Sequence, residues 1–267
     1  VMDLKKPVIV QALFDIQRDR WDNFKMSYNT YLHWMRNVLS LDANIVIFTE
    51  EKFFKAIFDN RKVFDPDMTK TKIIVQELRN LPAYKLFNTR VSSLMYSKAF
   101  KEKTSFDVPE MNKPLYNIIM FNKLYWLRQA RDNKYFDSDV VVWKDAGTYR
   151  DEIDNYLHKK WPDASKIVAD KPTFFCHHDK ISIENVHHHA LSQMRFIHGT
   201  SFLVPNTTLD SLIDEFEITI DTLLKQGYIG SDEKIFDITY LRNPEAYNLI
   251  KCSWREYFPF FEETVGS

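Results

Sequence analysis

Glycine is nearly missing from this chain. Five occur in 267 residues, at Gly147, Gly199, Gly227, Gly230 and Gly266, against an average usage of about 7%. Neither GxGxxG nor GxxxxGK[ST] can be written from those positions. Both loops need glycine so that backbone N–H groups can approach a phosphate closely. Glycine-loop dinucleotide enzymes and P-loop NTPases are therefore excluded. A phosphate held here must be held by side chains, a metal ion or helix N-termini.

Cysteine is scarce too. Cys176 and Cys252 form no CxxC and no zinc quartet, and two reduced thiols in a cytoplasmic protein are expected. Lys+Arg 36 against Asp+Glu 37 gives a net charge of -1, so the basic footprint of a nucleic-acid binder is lacking and no nucleic-acid partner is expected. No apolar run approaches the ~20 residues of a membrane helix, and Val1–Lys6 has no signal-peptide pattern. What is present is ordinary for a globular protein: 45% hydrophobic and 27% charged residues, enough to bury a core without disulfide or metal. No composition shift marks a boundary, so one domain over residues 1–267 is expected. The 21 Phe and 13 Tyr serve core packing or line a groove for a ring-shaped ligand.

Val8–Phe14, Ile45–Thr49 and Lys72–Leu78 read as buried strands. Between them, Phe24, Tyr28, Tyr31, Leu32, Met35, Val38 and Leu39 fall at helical spacing, and Glu50–Asn60 reads as a second helix. Strand–helix alternation of this kind predicts an α/β fold with a mostly parallel sheet. Lys98–Lys113, rich in lysine and flanked by prolines, reads as a mobile loop able to close over a ligand. Leu115–Arg131 reads as one long helix, and Asp139–Ala146 as a strand with a β-branched core. Thr173–Cys176 and Ser201–Val204 are further short strands; Thr208–Gln226 and Ser231–Leu241 are helices.

Several groups of residues could carry chemistry. VVVWKDAG (Val140–Gly147) runs a buried strand into Asp145. Ligands of open α/β sheets bind at the carboxyl ends of strands. Asp145 there either holds a divalent cation against a diphosphate or caps the next helix. Asp137-Ser138-Asp139 is a literal DxD, but it precedes the strand and reads as a turn. After the first strand, Asp15 suits a base or ribose and Arg18 a phosphate; the alternative is a solvated surface turn. Lys123 follows Asn117 by six residues, about 600° of helix rotation, so the two do not share a face. Lys123 either reaches a phosphate or is simply exposed. Six histidines (His177, His178, His187, His188, His189 and His198) cluster in sequence but form no HExxH. Asp232 and Glu233 open a late helix, as caps or as a general base facing a groove.

Taken in order, these pieces resemble the bacterial HtrL/YibB family and, through it, glycosyltransferases. The matching segments are VIVQALFDIQR (Val8–Arg18), IVIFTEE (Ile45–Glu51), PLYNIIMFNKLYWL (Pro114–Leu127), VVVWKDAG (Val140–Gly147), IHGTSFLVP (Ile197–Pro205) and IGSDEKIFDITYLRNPEAYNLI (Ile229–Ile250). Gln17 stands where the family has a glycine. The resemblance implies a GT-A-like, nucleotide-diphosphosugar transferase fold, with a nucleotide-binding half at about residues 1–147 and an acceptor half at about 148–267. It implies a nucleotide-sugar donor, UDP-hexose first among candidates, and Mn²⁺ or Mg²⁺ held by Asp145. Donor contacts would come from Phe14, Asp15, Arg18, Asn117, Lys123 and Trp143. Asp232 or Glu233 would be the base of an inverting transfer, with Asp232 preferred. The acceptor would be a glycan or glycolipid, in building lipopolysaccharide or another surface glycan, in the cytoplasm or in peripheral contact with the inner face of the membrane. Two other readings remain at this stage: a glycan-binding protein without catalysis, and a zinc hydrolase using His177–His198.

Overall fold

The computed structural model describes residues 3–264. Val1 and Met2, which begin the segment read as having no signal peptide, and Gly266 lie outside the described residues. Among those described, one sheet has the strand order β3-β2-β1-β4-β6-β5-β7. Its strands are β1 (Val8–Leu13), β2 (Asn44–Thr49), β3 (Thr71–Val75), β4 (Val140–Lys144), β5 (Thr173–Cys176), β6 (Ile197–Pro205) and β7 (Asn248–Lys251). β1 pairs in parallel with β2 and β4, β2 with β3, and β5 with β7, while β6 alone runs antiparallel, between β4 and β5. The mostly parallel sheet flanked by helices is the architecture expected from the sequence.

Alternation along the strands divides the core. Val8, Val10, Val46, Phe48, Val141, Trp143 and Phe202 face one layer. Ile9, Ile45, Ile47, Val140, Val142 and Leu203 face the other, as period-two side chains of a sheet covered on both faces must. The second layer is closed by α1 (Tyr28–Leu39) and α2 (Glu51–Lys62), which bury Met35, Val38, Leu39, Phe53 and Ile57. The first is closed by α3 (Pro82–Met95), α6 (Pro114–Phe121), α7 (Lys123–Asp132), α9 (Asn206–Lys225) and α10 (Asp232–Arg242).

Some expectations are corrected. α1 starts at Tyr28 rather than Phe24, because Ser27 caps it by accepting the Thr30 N–H at 3.1 Å and Phe24 has φ 58°. β3 ends at Val75, where Gln76 N–H donates to Thr49 O at 2.8 Å and the chain turns. Lys98–Lys113 is not one loop: it holds α4 (Lys98–Lys103), capped by Ser97, and α5 (Pro109–Asn112). Leu115–Arg131 is two helices that meet at Asn122, whose Oδ1 accepts the Ala83 N–H at 3.0 Å. α3, α8 (Val186–Leu191) and β7 are elements the sequence does not predict.

Candidate functional site

β1 has β2 on one side and β4 on the other, so the sheet changes winding direction between β1 and β4. A crevice opens at such a point, outside the carboxyl ends of the strands. Asp15 and Arg18 follow β1, and Asp145 follows β4. Gln11 Nε2 of β1 donates to Asp145 O at 3.2 Å, holding the two ends together. β6 meets β4 with Ser201 opposite Lys144, so Ile197–Thr200 overhang the end of β4. There the Asp145 N–H donates to Thr200 O at 2.9 Å.

Lys123, the first residue of α7, enters this cluster from behind. Its Nζ donates to Asp232 Oδ2 at 2.8 Å and to Gly199 O at 2.8 Å, and lies 3.0 Å from Asp145 Oδ1. An ammonium has three N–H groups, and here each has an acceptor, so none remains for a phosphate. The side chain is 2% exposed, which corrects the alternative of a solvated lysine. Burial pulls its pKa down, but Asp145 and Asp232 outweigh that and raise it. Asp145 also accepts from Trp143 Nε1 at 2.6 Å and keeps 29% of its side chain exposed. Its pKa is raised, by burial first, with Lys123 opposing and Asp232 adding.

Asp232 and Glu233 begin α10, beside Gly199. Asp232 is buried against Lys123. Glu233 Oε2 accepts the Gly199 N–H at 3.1 Å and Oε1 accepts from Arg195 Nη1 at 3.2 Å. Burial and the adjacent Asp232 carboxylate push its pKa up to about 7, against Arg195. Arg195 also donates to Glu110 Oε1 at 3.0 Å. Gly199 and Arg195 had not been singled out in the sequence, although glycine scarcity made each glycine a position to suspect.

Around β1, Asp15 pairs with Lys52 and accepts the Gln17 N–H at 2.6 Å. Burial raises its pKa, but the Lys52 and Gln17 bonds outweigh it and hold the carboxyl low. Gln17 has φ 62°, a left-handed backbone that glycine adopts without strain. Arg18 donates to Tyr31 OH at 2.6 Å and to Phe24 O at 3.0 Å, and its guanidinium lies 6.0 Å from the Tyr116 ring. Phe14 and Trp143 are buried against Trp126, at centroid distances of 5.3 and 5.7 Å. Asn117 stands apart: fully buried, it donates to Glu110 O at 2.9 Å and ties α5 to α6. Asp137 and Asp139 pair with Lys5 at the far end of β4.

The expected divalent cation does not fit these residues. Among the described residues no three His, Cys, Asp or Glu side chains group as metal ligands. Asp145 offers a cation at most Oδ2, because its Oδ1 already faces the Lys123 ammonium and the Trp143 N–H. The histidines form no metal-ligand group either among the described residues, although His177 lies 3.8 Å from His198 and 6.5 Å from His178 by ring centroid. His189 pairs with Asp237 at 2.8 Å, His187 bonds Gln226 and stacks on Tyr228, and His177 packs on buried His198, which bonds Tyr257. This leaves the zinc-hydrolase reading without a ligand set. Cys176 and Cys252 are free and buried. No helix among the described residues is long and apolar enough to cross a membrane.

A comparison with curated protein sequences finds no match. Among solved structures, the chain is similar to galactosyltransferase LgtC in complex with donor and acceptor sugar analogs: TM-score 0.43, 9% identity, covering 91% of this chain and 72% of that one. It is also similar to the apo-form glycosyltransferase GlyE of Streptococcus pneumoniae TIGR4, with TM-score 0.42 and 9% identity over 92% of this chain. A second GlyE structure gives 0.41 and 10%. The chain spans 45% of the length of GlyE. The segments through β1, α6–α7, β4, β6 and α10 that build the site lie within residues 5–263, which match the family model described as "Bacterial protein of unknown function (HtrL_YibB)", and the chain belongs to that family.

Proposed function

We propose that this protein is a glycosyltransferase that moves a sugar from a nucleoside-diphosphate donor to a glycan or glycolipid acceptor. The observation that carries the reading is the gathering of Asp15, Arg18, Asp145 and Glu233 where the sheet changes direction. That place suits a nucleotide, and the absence of a glycine loop removes the dinucleotide and P-loop alternatives. The donor nucleotide lies over Asp15 and Arg18, and its sugar reaches toward Asp145. Glu233, with its pKa near 7, suits a general base working near neutrality. It takes the acceptor's hydroxyl proton while that oxygen bonds to the anomeric carbon. The carbon–oxygen bond to the diphosphate breaks, its electron pair leaves with the nucleoside diphosphate, and the centre inverts. Asp232 is set aside as base because Lys123 holds it in a buried ion pair.

The donor half at about residues 1–147, the acceptor half at about 148–267, a UDP-hexose donor and a place in lipopolysaccharide or other surface-glycan synthesis at the inner face of the membrane belong to this proposal. It is tested by incubating the purified chain with UDP-, GDP-, ADP- and CDP-sugars and a glycolipid extract, and measuring nucleoside diphosphate released. Release from one donor class, dependent on the extract, is expected. Glycan binding with no nucleotide or nucleotide-sugar binding in any arm would replace the reading with that of a non-catalytic glycan-binding protein.

A further inference from the structure

Of the twelve arginines, five are paired with acids among the described residues. Arg61, Arg90, Arg131, Arg195 and Arg242 each have a carboxylate within 4.0 Å. Like Arg20, Arg36, Arg79 and Arg128, Arg18, Arg150 and Arg255 have none among the described residues, but Arg150 lies close enough to the other two and to Asp145 for each to act on its charge. The Arg150 guanidinium lies 3.9 Å from the Trp34 ring and 5.6 Å from Trp254, and its Nε donates to Gly147 O at 3.0 Å. Arg255 lies 3.5 Å over the same Trp254 ring. Arg18 is held by Tyr31, whose ring meets Trp34 edge-on at 5.8 Å. Trp254 Nε1 donates to Thr200 Oγ1 at 3.3 Å, next to the Thr200 carbonyl that binds the Asp145 N–H.

These rings hold the three guanidiniums near one another. The charges repel. Burial first, then Arg255 and Arg18, hold the Arg150 pKa below its usual value, although Tyr31 and Asp145 oppose this. The Nε of Arg255 is buried without a partner. Cations gathered near a strand end suit an anion with several oxygens, since guanidinium binds phosphate bidentately.

We propose that Arg18, Arg150 and Arg255 form a diphosphate site that neutralises a nucleoside diphosphate without a divalent cation. Lys123 has the complementary task. It holds Asp145 and Asp232 together and offsets one of their two negative charges, which does part of the work a metal would do between those carboxylates and the phosphates. The inference rests on the glycosyl-transfer reading only for what the diphosphate is attached to.

The test is calorimetric titration of the full chain with UDP, GDP, ADP, CDP and inorganic pyrophosphate, in EDTA and again in Mn²⁺. At least one nucleoside diphosphate is expected to bind in EDTA within threefold of its affinity in Mn²⁺. Arg150→Gln and Arg255→Gln should each weaken that binding tenfold or more while the unliganded melting temperature stays near the parent's. Asp145→Asn should keep the parent's affinity in EDTA and in Mn²⁺ alike, whereas loss of a metal ligand would remove whatever binding Mn²⁺ adds. Binding that requires Mn²⁺, or that ignores both arginine substitutions, overturns this proposal and leaves glycosyl transfer standing. Pyrophosphate bound through the arginines with no nucleoside diphosphate bound overturns glycosyl transfer and leaves the anion site. Failure of every anion to bind overturns both.

Discussion

The Asp232 carboxylate rests directly on the Cα of Gly199: a methyl group there would overlap its Oδ2 and come within 3.1 Å of its Cγ. Gly199 also gives its N–H to Glu233 and its carbonyl to Lys123. One residue without a side chain thus touches the two acids and the lysine together.

Gly199→Ala should therefore displace Asp232 from Lys123. Overpacking a tight site costs about 1–3 kcal/mol, to be read as a lower urea midpoint. An unchanged midpoint would mean that the carboxylate moves aside freely and that the close approach has no structural weight.

Lys123→Met removes the cation between two carboxylates. Breaking a buried pair by deleting one partner costs about 3–5 kcal/mol. Adding Asp232→Asn should restore part of that loss, because the uncompensated charge goes with it. A double variant as unstable as the sum of the single ones would show no coupling between the two residues.

Glu233→Gln should slow transfer by about 10²–10⁴-fold with nucleotide binding kept. In the parent, the rate should rise with pH and level off above about 7, the pKa of the carboxyl that must be ionised. The same group affects stability in the opposite direction. Its folded pKa lies above the ordinary 4.5, so the folded state binds more protons between about pH 4.5 and 7, and stability falls as pH rises through that window. The Gln variant should lose that slope in a series of urea melts.

Lys144 offers a second pH signature. It is fully buried, 3.7 Å over the Trp161 ring and 2.5 Å from Tyr149 OH, with no carboxylate paired to it among the described residues. Burial pushes its pKa well below 10.5. Between that lowered value and 10.5 the unfolded chain binds more protons, so stability should rise with pH. Lys144→Met should flatten the rise. A slope that persists in this variant would assign it to another group.

Much of the sheet was legible because β-branched runs such as Val140–Val142 have one strong preference. The acids were legible for a related reason: a strand end and a helix start are positions a sequence can mark, as at Asp145 and at Asp232 with Glu233. What escaped was tertiary. Residues 82–95 carry Ala83, Phe87, Val91 and Met95 at fourfold spacing on α3, but Thr89, Val91 and the paired serines 92 and 93 dilute the helical signal. The break at Asn122 depends on a bond to Ala83, 39 residues away. Arg150 and Arg255 carry no mark in the sequence, because nothing local shows that Trp34 and Trp254 will hold them.

The stack of Trp126 on Trp143 has its own consequence. The two indoles lie 5.7 Å apart with planes 6° from parallel, and the Trp143 N–H is bonded to Asp145. Parallel chromophores this close share their excited states. A change at the carboxylate that turned the Trp143 ring would alter their near-ultraviolet circular dichroism. The protein thus carries a built-in optical readout of its own strand end, available to ligand titrations without any label.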